Sequence, residues 1–296
     1  MHDICVVGHV TRDVVKRKGR VTETLPGGVA HYAGVALASL GLDTAVVTKL
    51  AEPDAGALLG PLAAAGATIY RRASPATTRF ENLYTGSDLG HRRQRVDAVA
   101  APFAPADLGD LRARMFHLGP LTAGDMSVAF LDAVAARAGR VSLDVQGFTR
   151  RLAAGAVRRV DWAEKARGLA RVGLVKADLE EARTLTGEDD PERAARALAA
   201  LGPEEVVVTL GGAGALVWAG GRAYPIAAVA PRALVDPTGA GDSFMAGYLF
   251  RRLRSDDIAA AGRFAAALAA CKLARCGAFT GAEGEVRALL DAAPPG

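Results

Sequence analysis

Cysteine is scarce in this sequence. Cys5, Cys271 and Cys276 are the only thiols among 296 residues, and they form no CxxC pair. A disulfide framework is therefore excluded, and buried thiols in a reducing compartment are expected. Histidine is equally sparse: His2, His9, His31, His91 and His117 are scattered, with no HExxH or other paired ligand spacing. That leaves a structural metal site without support. GxxxxGKS/T, GxGxxG and GxSxG are all absent, which removes the P-loop, the dinucleotide fingerprint and the nucleophile elbow. No apolar segment has membrane-spanning length, and Met1-His2-Asp3-Ile4 opens without a basic n-region. Neither a membrane span nor a secretory leader is expected, and a cytoplasmic location is. Charge of one sign is also missing, since 36 basic residues face 32 acidic ones for a net +4. The basic patches His91-Arg92-Arg93-Gln94-Arg95 and Arg158-Arg159 read as solvated faces, so no nucleic-acid partner is expected. The mild excess suits a small anionic ligand.

Apolar residues, by contrast, make up 50% of the chain, enough for one large domain covering residues 1–296. Ile4-Cys5-Val6-Val7, Ala45-Val46-Val47-Thr48, Met115 to Leu118, Val141 to Val145, Gly173 to Val175 and Val206 to Leu210 are short continuous apolar runs of the kind buried in parallel sheets. Helical spacing separates them at Val29 to Leu40, Ala55 to Ala65, Asp125 to Arg137, Leu179 to Thr186 and Pro191 to Leu201, and returns at Asp242 to Leu253 and Ile258 to Ala274. Ala215 to Trp218 and Arg222 to Ile226 read as a hairpin turning at Gly220-Gly221. Strands alternating with helices predict an α/β fold with a mainly parallel sheet covered on both faces. Two alternating stretches, about 14–26 and 68–100 with a turn at Thr85-Gly86-Ser87, predict a small separate sheet.

The stretch with the most chemistry is DPTGAGDSF, Asp236 to Phe244. Pro237 restricts the backbone, Gly239 and Gly241 free it, and a helix follows. Unpaired N–H groups at that helix start, with no side chains in front of them, make an anion site. Asp242 has two readings there. It caps the helix, or it accepts a proton from a hydroxyl attacking a phosphate held beside it.

DPTGAGDSFMAGYL resembles the C-terminal signature of the PfkB family of carbohydrate kinases, which have the ribokinase-like fold. Other features follow in family order: Val6-Val7-Gly8 with Asp13, Leu25-Pro26-Gly27-Gly28, Val207 to Gly214, and Cys276-Gly277-Ala278. The resemblance implies a three-layer α/β/α domain with a small β-sheet lid. It also implies transfer of the γ-phosphoryl group of ATP, with Mg²⁺, to an alcohol. Asp242 would be the base, and the backbone of Gly239, Ala240 and Gly241 the anion hole. Asp13, Gly27 and Gly28 would hold acceptor hydroxyls; Lys176, Thr209, Gly211, Gly214 and Gly277 would lie on the nucleotide side. Glu181 matches the glutamate of an NxxE motif that helps place magnesium, but Asp178 stands where the asparagine belongs. Many members also hold a monovalent cation such as K⁺ beside the Asp-Pro-Thr loop.

Departures bear on the acceptor. Tyr32 occupies the position of a sugar-contacting asparagine in ribokinases. Glu23 to Gly28, Asp144-Val145-Gln146 with Arg150 following, and Val175 to Asp178 are similar to the myo-inositol kinase branch. A small polyol or sugar is the implied acceptor, with a myo-inositol-like cyclitol favoured and ribose or a nucleoside as the alternative. A non-catalytic sensor is the competing class, which an intact Gly-Ala-Gly-Asp disfavours. Gln146 reads as a substrate contact or a turn amide, and Arg150 and Arg151 as phosphate ligands or solvated side chains. Phe80, Asn82 and Tyr84 share a strand face. They would form an aromatic floor with one amide for a polyol ring, or a lid core or dimer contact, so a monomer or a homodimer through the lid is expected.

Overall fold

Two hydrophobic patterns divide the chain between two sheets in the computed structural model, which describes residues 1–17, 20–84, 92–153 and 155–292. The first part runs β1 (His2–Val7), β2 (Thr11–Arg17), β3 (Arg20–Gly27), α1 (Val29–Ser39), β4 (Thr44–Leu50), α2 (Ala55–Ala64) and β5 (Thr68–Ala73). The middle contains β6 (Arg79–Tyr84), β7 (Arg92–Ala98), β8 (Ala113–Leu118), α3 (Val128–Ala135), β9 (Ala138–Asp144), β10 (Arg150–Ala153), β11 (Ala156–Arg159) and α4 (Lys165–Leu169). The last part holds β12 (Leu174–Asp178), α5 (Leu179–Thr186), α6 (Pro191–Ala199), β13 (Glu205–Thr209), β14 (Ala215–Ala219), β15 (Arg222–Ile226), α7 (Ala240–Arg252), α8 (Ile258–Leu273) and α9 (Glu283–Ala292).

The continuous apolar runs become the large sheet, in the order β15-β14-β13-β12-β9-β8-β1-β4-β5. Every pairing from β13 to β5 is parallel, and β14 pairs antiparallel with both β13 and β15. Both faces are buried because successive side chains point to opposite sides. In β1, Ile4 and Val6 join the core under α1, α7 and α8, while Cys5 and Val7 join the core under α3, α5 and α6. This is the expected α/β/α arrangement. Helices α7 and α8 approach closely at Gly247, where a Cβ would lie 2.9 Å from Ala265 Cα.

The second sheet has the order β10-β11-β7-β6-β2-β3. It differs from expectation at both ends. Thr68–Ala73 is not one of its strands: β5 pairs in parallel with β4 at the edge of the large sheet. An edge strand tolerates Arg71 and Arg72, which bind Glu52 and the Asp107 carbonyl, and so it looked exposed in sequence. The β10–β11 hairpin, missed in sequence, extends the small sheet through β7. The turn at Thr85-Gly86-Ser87 lies outside the described residues, as does His91. Arg95, Arg158 and Arg159 are exposed. Among the described residues no helix is long and apolar enough to cross a membrane.

At the amino edge of the large sheet a buried carboxylate ties three elements together. Glu205 accepts from Tyr248 Oη at 2.6 Å, Arg252 Nη2 at 2.6 Å and Arg140 Nη2 at 2.8 Å. Burial opposes its ionisation, but these donors and charges hold its pKa below the ordinary glutamate value. With the folded-state pKa depressed, its stabilisation is present above the unfolded pKa and is lost as pH falls toward the folded one. Glu205→Ala would leave two arginines facing a vacated acceptor. A loss of about 3–5 kcal/mol is expected in urea unfolding at neutral pH. Turnover per folded molecule should be unchanged, because the residue sits at the edge opposite Asp144 and Asp178.

Candidate active site

The Asp-Pro-Thr turn is built by its own aspartate. Asp236 Oδ1 accepts from the Thr238 N–H at 2.9 Å, which folds the chain toward Gly239. Gly239 is the N-cap of α7, at φ 76°. A Cβ there would enter the Tyr32 ring, so glycine is required both for the left-handed backbone and for the aromatic beside it. The helix starts at Ala240, which puts Gly241 and Asp242 in its first turn, where N–H groups lack partners four residues back. Asp242 is therefore not the cap, and that reading falls.

Strand ends of the large sheet surround this helix start. Lys176 near the end of β12 is buried, and its Nζ lies 3.0 Å from Asp144 Oδ2 at the end of β9. The same Nζ lies 3.8 Å from Glu181 Oε2 and 3.7 Å from the place a Gly241 Cβ would take. Lys176, expected toward the nucleotide, is set by the structure beside the start of α7. Burial disfavours its charge, but Asp144, Glu181 and Asp242 outweigh that and raise its pKa above the ordinary lysine value. The Asp242 pKa is raised as well, but for an acid that weakens the charged form. Burial and repulsion from Asp144 push it up to about 6, against the pull of Lys176 and Arg150. A carboxyl poised there is well placed to take a proton near neutral pH.

Asp178 and Glu181 form a reciprocal capping box on α5: Glu181 N–H donates to Asp178 Oδ1 at 2.7 Å and Asp178 N–H to Glu181 Oε2 at 2.8 Å. An aspartate performs this capping as well as an asparagine, which accounts for Asp178 at that position. Burial raises the Glu181 pKa, and the neighbouring acids add to it. Glu181 Oε1 is buried without a hydrogen-bond partner, 3.9 Å from Arg150 Nη2. Arg150, half-buried at the start of β10, thus belongs to the site, which sequence left undecided.

A cavity of about 280 Å³ lies between the small sheet and the Asp236–Thr238 turn. Asp13, Asn82 and Tyr32 line it, together with Val15, Glu23 and Leu25. Register explains the grouping, because Asp13 pairs with Phe80 and Leu25, and Val15 with Asn82 and Glu23, so their side chains share one face. Asp13 Oδ1 accepts the Thr11 hydroxyl at 2.7 Å. Gly27 leaves it room, since a Cβ there would come within 2.5 Å of Asp13 Oδ2. Gly28 caps α1 at φ 86°. The aromatic wall is Tyr32, whereas Phe80 is packed in the main core; the Tyr84 side chain lies outside the described ones. Gln146 sits in the turn after β9: its N–H donates to Asp144 Oδ1 at 2.9 Å and its carbonyl accepts the Thr149 hydroxyl. Gln146 is not among the cavity-lining residues.

Thr209 ends β13 beside Asp178, and Gly211 is exposed with open space where a Cβ would stand. Gly214, at φ 97°, is held by the backbone of Ile226 to Ala228. Gly277 N–H donates to Asp236 Oδ2 at 3.3 Å, which joins its loop to the Asp-Pro-Thr turn. Sequence reasoning gave no role to Asp144, Asp236 or Lys272. A lone charge at the end of an apolar strand marks Asp144; nothing local marks Lys272.

Residues 149–283 match the pfkB family of carbohydrate kinases. The chain is 34% identical over 281 residues to an inositol 3-kinase of Oryza sativa subsp. japonica, covering 89% of this chain and 67% of that one. It is 30% identical over 261 residues to a cytidine kinase of Thermococcus kodakarensis, covering 84% and 88%. A solved structure described as a pyrophosphate-dependent kinase in the ribokinase family, complexed with a pyrophosphate analog and myo-inositol, superposes with a TM-score of 0.87 at 28% identity, over 96% of this chain and 99% of that one. The glycine-capped helix start, the carboxylate in its first turn and these relatives agree: the chain belongs to the pfkB, ribokinase-like family of carbohydrate kinases and is a phosphotransferase with an alcohol group as acceptor.

Proposed function

We propose that this protein phosphorylates a hydroxyl of a small polyol, with a myo-inositol-like cyclitol as the favoured acceptor and ATP as donor. The observation that carries this is the cavity with Asp13 and Asn82 on one wall and the turn leading to Asp242 on the other. Carboxylate and amide oxygens bind hydroxyls, and Tyr32 and Leu25 suit the apolar C–H face of a ring. Asp242 takes the proton of the attacking hydroxyl. The N–H groups of Gly239 to Gly241 and the Lys176 ammonium receive the charge of the transferring phosphoryl group. Magnesium, when bound, supplies further neutralisation of the phosphate oxygens. The unpartnered Glu181 Oε1 fits a role in holding one of its waters. Thr209, Gly211 and Gly214 border the donor side. Sugars and nucleosides are the alternative acceptors, in keeping with the cytidine kinase relative.

Inorganic pyrophosphate is a second reading of the donor. Arg150 and Lys176 both reach the carboxylate cluster at the anion hole, and two cations there suit a small, densely charged donor. The solved relative is named for that donor. Phosphoryl transfer from ATP and from pyrophosphate, measured over a panel of cyclitols, sugars and nucleosides, separates these readings. Failure of every pair would overturn the kinase assignment of the site.

Asp242→Asn keeps the side-chain shape but cannot accept a proton, so kcat should fall roughly 10²–10⁴-fold with donor affinity retained. A folded variant losing less than about fivefold would remove the base role. The raised Asp242 pKa sets the sign of the pH dependence: below about pH 6 the free enzyme carries the protonated acid, and kcat/KM for the acceptor should decline. The residual rate of Asp242→Asn should lack that acid limb; if it persists, another group such as Glu181 causes it. Asp13→Ala should raise the acceptor KM by one to two orders of magnitude, about 1.5–3 kcal/mol, and leave the donor KM nearly unchanged. A loss confined to the donor would mean the two pockets are exchanged.

A further inference from the structure

The family resemblance leads one to expect a monovalent cation beside the Asp-Pro-Thr turn, and in this chain a lysine side chain reaches the oxygens of that turn. Lys272 lies in the last turn of α8, an otherwise alanine-rich helix, and is wholly buried. Its Nζ donates to the Asp236 carbonyl at 2.7 Å, to Asp236 Oδ2 at 2.8 Å and, more weakly, to the Arg275 carbonyl at 3.5 Å. The Tyr32 ring lies 5.7 Å away on another side. Three N–H donors thus meet two main-chain carbonyls and a carboxylate drawn from two separate loops. An ordinary ion pair needs only the carboxylate. A compact, strongly solvated cation stripped of water needs a shell of oxygens.

This shell sits at the root of the anion hole. The Asp236 carboxylate that receives the ammonium also receives the N–H groups of Thr238 and Gly277. The N–H groups of Val235 and Asp236 reach back to the Leu273 carbonyl at the end of the same helix. One charge therefore fastens the turn before Gly239, the end of α8 and the 275–277 loop to each other. It also places a positive charge near Asp242, behind the site where phosphoryl charge develops.

We propose that the Lys272 ammonium serves as a tethered monovalent cation for this loop, so that the protein needs no potassium ion there. Lys272 is a positioning residue: it acts through Asp236 on the helix start and touches no reacting atom.

The structural claim stands apart from the kinase reading, and only its kinetic arm rests on that reading. Wild-type protein is melted in potassium chloride and in choline chloride at equal ionic strength, and the two melting temperatures should coincide. Lys272→Met should melt lower in choline and recover part of the loss in potassium, because an ion entering the vacated shell binds only the folded state. With a substrate pair that supports turnover, wild-type kcat should differ less than about twofold between the salts. The variant should lose more than about tenfold and regain activity with potassium or methylammonium. A potassium-specific rise in wild-type melting temperature or turnover would overturn the proposal, and that arm decides even if the variant does not fold. A folded Lys272→Met that gains nothing from either cation would overturn it too, and would make Lys272 a plain structural ion pair. If no acceptor is turned over, the melting comparison still decides.

Discussion

Burying the Lys176 ammonium at the carboxyl edge of the large sheet obliges the surrounding residues to compensate it. Asp144 is in direct contact, Glu181 lies just beyond, and Asp242 shares the field from the first turn of α7. Had the lysine been neutral, three buried acids would repel one another; had the acids been absent, the ammonium would carry an unpaid desolvation cost. The group is therefore held together by mutual need. Its residual imbalance falls on Asp242 and Glu181, whose acidities are both weakened. A carboxylate able to exchange a proton near neutral pH is the outcome of that arrangement, and so is a cation standing beside the start of α7.

The cavity beside the small sheet depends on a different constraint, the pairing between β2, β3 and β6. These strands carry little of the main core on their cavity face. Their register is what gathers Asp13, Val15, Glu23, Leu25 and Asn82 against the turn before α7. A one-residue slip of any one of these strands would turn its own contributors away. Gly27 and Gly239 then open the space, one making room for a carboxylate and the other for an aromatic ring. The same turn is secured from behind by Lys272 through Asp236, so the two buried lysines bracket the segment that carries the chemistry, one in front of it and one at its root.

Much of this was legible before any coordinates. Continuous apolar runs predicted the parallel strands, because a strand covered on both faces cannot alternate. The helix start at Gly239 to Asp242 followed from small residues placed before an amphipathic stretch. The failures have equally physical causes. β5 looked exposed because an edge strand needs burial on one side only, and its arginines find partners across the sheet edge. The β10–β11 hairpin was missed because its short strands, Arg150–Ala153 and Ala156–Arg159, bury little and alternate weakly. Asp178 looked like a departure from the family pattern, yet it caps α5 just as the box requires.

By itself, then, the sequence determined the layered α/β architecture, the helix start at Gly239 to Asp242 and the family to which both belong, since each depends on residues adjacent in the chain. Tertiary structure alone decided that Lys176 stands beside the start of α7, that Arg150 reaches the same carboxylates, that Tyr32 walls the cavity and that Lys272 meets a shell of loop oxygens. These are meetings between residues tens to hundreds of positions apart. Their energies come from charge brought out of water, and that cost exists only once the sheets have closed around them.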